Sequence, residues 1–213
     1  MTDLGFIHQF QPGREPNALV LLLLHGTGGN ENDLLPLGRD LVPGAAILSP
    51  RGKVLENGMP RFFRRLAEGV FDLQDLERRT EELARFIERA RSEYGLQENR
   101  VVAVGYSNGA NIAASLILRH PRVVPGAILF RAMVPFTPEP VPVLGKTKIF
   151  LSAGERDPIV PAANTQRLAA IFQSGGAEVS IHWHTGGHEL GQDDLDAAKS
   201  WIAVQGFRTE PQT

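Results

Sequence analysis

The sequence predicts an α/β fold in which a mostly parallel sheet carries helices on both faces, and three observations predict it. Short apolar runs such as "ALVLLLLHG" show no polar alternation, the mark of strands buried on both faces. Segments with apolar residues at helical spacing lie between those runs. Polar clusters, most of them glycine-rich, follow several runs directly, where the ligands of such sheets gather beyond the carboxyl ends of the strands.

Asn17 to Leu24 is the first apolar run and ends in "HGTGGN". A short helix is expected next, capped near Asn30 or Asn32, with Pro36 in the first turn where its missing amide proton is not needed. "AAILSPRG" reads as a strand. From Asp72 to Tyr94, Leu73, Leu76, Leu83, Ile87 and Ala90 fall at helical spacing among Glu and Arg, giving a long helix with one buried stripe. Val101 to Val104 is a strand, followed after a glycine-bounded turn by a helix from near Asn108 that stops at Pro121. "GAILF" and "TKIFLSAG" are strands and "PAANTQRLAAIFQSGG" is a helix with a glycine stop. "AEVSIHWH" is a strand, "ELGQDDLDAAKSWIAVQG" the final helix, and "FTPEPVPVLG" a stiff connecting loop.

The 213 residues suit one well-buried domain, 1–213, since no long linker-like stretch interrupts them. Lys and Arg total 22 against 24 Asp and Glu, for a formal net charge of -2 with no sustained basic block, which argues against a nucleic-acid partner. "MTDLGFIHQF" lacks the order of a secretory signal, and the longest apolar run falls short of the ~20 residues of a membrane span, so a cytoplasmic location is expected. No cysteine is present, which fits a reducing compartment and removes thiolate nucleophiles and ligands.

Gly105-Tyr106-Ser107-Asn108-Gly109 fits G-x-S-x-G between a strand and a helix, a strained turn that pushes a serine hydroxyl outward. A serine hydroxyl needs a base to become a nucleophile, and histidine is the natural one. Of six histidines, His188 is the candidate because "TGG" detaches it from the preceding strand; His184, at the strand's end, is its rival. His8 falls in a terminal segment, His182 inside a strand, and His120 at a helix end. The acid should follow a strand and precede the histidine, which selects Asp157 in "GERDPIVP", with Glu155 as runner-up. Backbone amides of Asn108 and of the "HGTGG" loop are the candidate oxyanion donors, Thr27 first and Gly28 as its alternative, with His25 ordering that loop.

"LLHGTGGNENDLLPL", "VGYSNGA", "GERDPIVP" and "GGHELG" together resemble the bacterial carboxylesterase and phospholipase branch of the α/β-hydrolases, which includes acyl-protein thioesterases. The likeness runs from Leu19 to Trp201. It implies Ser107, Asp157 and His188 as the triad, Thr27 and Asn108 as oxyanion donors, and no metal or other cofactor. Asn108 stands where the thioesterases usually have Gln, and "HGTGGNE" replaces their "HGLGD". Dienelactone hydrolases resemble the chain less because they use a cysteine.

No segment is long enough for a large cap domain, so loops should cover the site. One loop carries Phe62, Phe63 and Phe71 with Arg61, Arg64 and Arg65; the other carries Arg131, Met133 and Phe136. Read as a pocket, Gly28, Phe62, Phe63, Arg131 and Met133 line it, apolar with a positive rim, for a small acyl or aryl ester, an anionic one included. Read structurally, the aromatics only pin the loops. The expected partner is a small-molecule ester, with self-association into a homodimer left open. Against the serine carboxylesterase stand thioesterase or lysophospholipase activity, and a non-catalytic ligand-binding protein that would have lost a triad member.

Overall fold

The computed structural model describes residues 4–97 and 100–207. Seven strands form one sheet in the order β1-β3-β2-β8-β9-β10-β11. These are β1 (His8–Gln11), β2 (Val20–Leu24), β3 (Ala46–Pro50), β8 (Val101–Tyr106), β9 (Gly126–Phe130), β10 (Lys148–Gly154) and β11 (Glu178–His184). All neighbours run parallel except β1, which pairs antiparallel with β3 at the edge. Two small hairpins, β4 (Val54–Glu56) with β5 (Met59–Arg61) and β6 (Arg65–Ala67) with β7 (Val70–Phe71), follow β3.

The strands alternate between two cores. Leu22 and Leu24 of β2 and Ala103 of β8 pack toward α2 (Leu73–Tyr94), α3 (Asn108–Arg119) and α4 (Ala162–Ser174). Leu21, Leu23, Val102 and Val104 face the other core, with Leu35 and Leu41 of α1 (Leu35–Leu41) and Trp201 of α5 (Gln192–Val204). Every residue of β2 is buried, which explains its unbroken apolar run; each fully buried Leu contributes about 1.5–3 kcal/mol.

The long helix α2 begins where Asp72 accepts the Asp75 amide and ends at Gly95, whose φ of 65° is a left-handed stop. Its Thr80 hydroxyl meets that of Ser115 on α3 at 2.8 Å, a satisfied polar contact inside the apolar interface. Leu73, expected on the buried stripe, is instead 55% exposed; it is the first residue of α2, and the buried face begins with Asp75 and Leu76. The cap expected at Asn30 or Asn32 belongs to a turn in which Asn30 Oδ1 accepts the Asn32 amide; α1 itself starts at Leu35, with Pro36 in its first turn and Leu34 as its cap. His8 lies in strand β1, where "HQFQ" has no apolar run to betray an edge strand, and bonds the Tyr94 hydroxyl at 2.7 Å. Among the described residues no helix is long and apolar enough to cross a membrane.

Candidate active site

Ser107 joins β8 to α3 with φ 51° and ψ −113°, a conformation side chains rarely adopt. Its flanking glycines are required by contact. A Cβ on Gly105 would lie 2.7 Å from the Ala110 backbone, and one on Gly109 would lie 1.9 Å from the Leu24 carbonyl oxygen. The turn is pinned on both sides: the Ser107 amide donates to the Phe130 carbonyl at 2.9 Å, and the Asn111 amide donates to the Ser107 carbonyl at 2.9 Å. The hydroxyl is thus held at the carboxyl edge of the sheet.

Two further loops bring side chains to it. His188 Nε2 lies 3.0 Å from Ser107 Oγ, and His188 Nδ1 lies 2.8 Å from Asp157 Oδ2. The Asp157 side chain is fully buried, and its Oδ1 accepts the amides of Ile159 and Val160 at 2.8 and 3.0 Å. A carboxylate can only accept, so it keeps the imidazole proton on Nδ1 and leaves Nε2 as an acceptor facing the serine. The structure therefore brings Ser107, Asp157 and His188 into one hydrogen-bond chain. Glu155 is exposed beyond β10, and His184 pairs with Asp193 at 3.0 Å rather than with Ser107. Tyr106, not singled out from sequence, donates its hydroxyl to the His188 carbonyl at 3.1 Å.

The loop after β2 is organised by His25, which is 1% exposed. Its Nδ1 donates to the Gly26 carbonyl at 2.7 Å and its Nε2 accepts the Gly52 amide at 2.9 Å. Burial lowers its pKa, and the bond to Gly26 opposes that only in part, so the ring is held neutral. The Gly28 amide is committed to the Pro60 carbonyl at 2.9 Å, which leaves Thr27 as the residue of this loop that borders Ser107. Asn108 occupies the first helical position of α3, where the amide has no partner within the helix.

Ser107 opens into a cleft of about 230 Å³ whose lining includes Thr27, Arg61, Phe71, Asn111, Met133 and Val160. Three expected lining residues are elsewhere. Phe62 and Phe63 are 2% and 0% exposed within the core, with Phe71 packed edge-on against Phe63 at 5.1 Å, so they anchor the segment and Phe71 alone of the three reaches the cleft. Gly28 is held against the β4–β5 hairpin, outside the lining. Met133 does line the cleft, while Phe136 lies under the Arg119 guanidinium at 4.7 Å.

Arg131 borders the cleft, but its guanidinium is not a free positive rim. It is fully buried, pairs with both Asp194 oxygens at 2.9 and 2.7 Å, and donates to the carbonyls of Gly187 and Glu189 on either side of His188. Burial alone would raise the Asp194 pKa, yet Arg131 and the Ser152 hydroxyl together hold it below the ordinary carboxylate value. His184, Asp193 and Asp194 place ligand atoms within 4.8 Å of one another, but Asp194 is already neutralised by Arg131, so the group reads as an ion-pair network rather than a metal centre.

A model of the phospholipase/carboxylesterase family matches residues 7–205. MhqD of Bacillus subtilis (strain 168), named provisionally as a hydrolase, is 48% identical over 194 residues, covering 91% of this chain and 96% of MhqD. The Bacillus cereus carboxylesterase is similar in structure, with a TM-score of 0.91 and 47% identity over 93% of this chain and 94% of that one. A carboxylesterase from Mesorhizobium loti has a TM-score of 0.89 at 30% identity, covering 96% of this chain and 97% of that one.

Proposed function

The chain belongs to the phospholipase/carboxylesterase family of α/β-hydrolases, and from that premise we propose that it cleaves small carboxylic esters through an acyl-enzyme on Ser107. The observation that carries the reading is the chain of contacts from Asp157 Oδ2 through His188 to Ser107 Oγ, 2.8 and 3.0 Å long. Ser107 Oγ attacks the ester carbonyl carbon while His188 Nε2 takes its proton, and the carbonyl π electrons move onto oxygen. The amides of Thr27 and Asn108 receive that oxyanion. Collapse expels the alcohol, which takes the proton from His188; water then repeats the sequence and releases the acid. Asp157, held by two backbone amides, keeps the imidazole oriented and stabilises its charged form.

A fluorophosphonate probe should add one adduct at Ser107, read by intact mass, and p-nitrophenyl acetate should be turned over by the wild type but not by Ser107→Ala. A folded wild type that takes no adduct would overturn the reading and favour a ligand-binding protein.

A thioesterase or lysophospholipase activity is the second reading. It is favoured by Leu55, Leu66 and Val70, exposed apolar residues on the two hairpins that also supply Arg61, Arg65 and Phe71 to the cleft and so on the elements a long acyl chain leaving the cleft would meet.

A further inference from the structure

The polar lining of the cleft is one-sided. Its charged residues are Arg61, Arg65, Arg131 and His188, and no Asp or Glu is among the lining residues. Arg131 is neutralised by Asp194, and His188 is engaged by Asp157. Arg61 and Arg65 share a single carboxylate, Glu56, whose Oε1 meets Arg65 at 2.8 Å and whose Oε2 lies 3.2 Å from Arg61 Nη1. Two guanidiniums therefore face one carboxylate, and the cleft wall carries an excess positive charge. The Arg61 side chain is 4% exposed and rigidly held, with Nε donating to the Phe63 carbonyl and Nη1 to the Thr27 hydroxyl at 2.9 Å.

The neutral amides of the wall point the same way in hydrogen-bonding capacity. Asn108 Oδ1 accepts the Phe62 amide and Asn111 Oδ1 accepts the Met133 amide, both at 2.7 Å. Those bonds fix the two side-chain amides and leave their Nδ2 donors. Asn108 Nδ2 is buried and has no acceptor among the described residues, an arrangement that costs free energy. An ester with a neutral, apolar acyl part would leave the charge excess of Arg61 and Arg65 over Glu56 unanswered.

We infer that the substrate is an anionic ester, one whose acyl part carries a carboxylate a short spacer away from the scissile carbonyl, received by Arg61 and Arg65. The short spacer follows from the Arg61–Thr27 bond, because the guanidinium that would hold the carboxylate touches the residue whose amide would hold the oxyanion. This inference rests on the reading of Ser107 as the nucleophile.

Monoethyl succinate and ethyl isocaproate have the same skeleton, with a carboxylate in one where the other has an isopropyl group. Wild-type kcat/KM, followed by acid release, should favour the succinate by roughly tenfold or more, the scale of a charge-assisted hydrogen bond. Raising the salt concentration should shrink that ratio, as should Arg65→Gln. Arg65 is one-third exposed, so its replacement keeps the test open if Arg61→Gln, at a buried position, fails to fold. An enzyme that hydrolyses p-nitrophenyl acetate through Ser107 yet shows no preference for the succinate overturns this inference alone. A preference that survives Arg61→Gln and Arg65→Gln overturns the assignment to these arginines. A folded protein that hydrolyses none of the three esters overturns the triad reading together with this one.

Discussion

Arg131 and Asp194 form a bidentate ion pair with both side chains fully buried, and the same guanidinium holds the carbonyls of Gly187 and Glu189, the residues on either side of His188. The pair therefore ties the loop that carries His188 to the start of α5. Removing one partner leaves an uncompensated buried charge, which costs about 3–5 kcal/mol. Asp194→Asn should lose that much in urea unfolding and should lower kcat roughly ten- to a hundredfold as His188 drifts from Ser107. Arg131→Met with Asp194→Leu should recover part of the stability but not the rate; full recovery of both would show that the pair does not position His188.

Ser107→Ala should abolish turnover with little change in stability, since the serine is only half-buried and makes its tight contacts through its backbone. Ser107→Gly should be equally inactive but more stable than Ser107→Ala by about 1 kcal/mol, because glycine relieves the positive φ. Equal stability of the two variants in matched denaturant titrations would mean that the turn is unstrained.

The turn around Ser107 was legible because contact geometry dictates its glycines, and Asp157 and His188 because each follows a strand on its own short loop. What the sequence could not convey was the surroundings. Arg131 reads as a surface charge until Asp194, 63 residues away, is seen to neutralise it. Phe62, Phe63 and Phe71 look equivalent, since Phe62 and Phe63 lie in the bend between β5 and β6 and Phe71 in a two-residue strand, and neither offers a period that separates buried from cleft-facing positions. Asn111 could have been found: it lies one helical turn beyond Ser107 and so on the same side of α3.

His25 gives a pH dependence with a defined sign. Its folded pKa lies below the ordinary 6.5 because burial disfavours the charged ring, so the unfolded chain binds the extra proton first. Stability contributed by neutral His25 is present above 6.5 and declines as pH falls from there toward the folded value. Protonation of Nε2 would also leave it unable to accept the Gly52 amide. Urea unfolding from pH 7.5 to 5.5 should therefore show a smaller acid-side loss in His25→Asn than in the wild type; parallel curves would remove His25 as the cause.

The acyl chain-length profile separates the two activity readings. The cleft beside Ser107 holds only about 230 Å³, and its apolar depth comes from Phe71, Met133, Ile159 and Val160. Each methylene fully removed from water contributes about 0.8 kcal/mol, so gains in kcat/KM should end once this short space is filled. Among neutral p-nitrophenyl esters the rate should peak at short acyl chains. Phe71→Ala should shift the optimum to longer chains by enlarging the cleft, whereas Phe63→Ala should chiefly destabilise the fold, by about 3–5 kcal/mol, since Phe63 is a core residue. A rate that climbs steadily to long chains, measured below their micelle concentrations, would mean that Leu55, Leu66 and Val70 carry the chain across the hairpins and would make a lysophospholipid or acyl-protein the better substrate class.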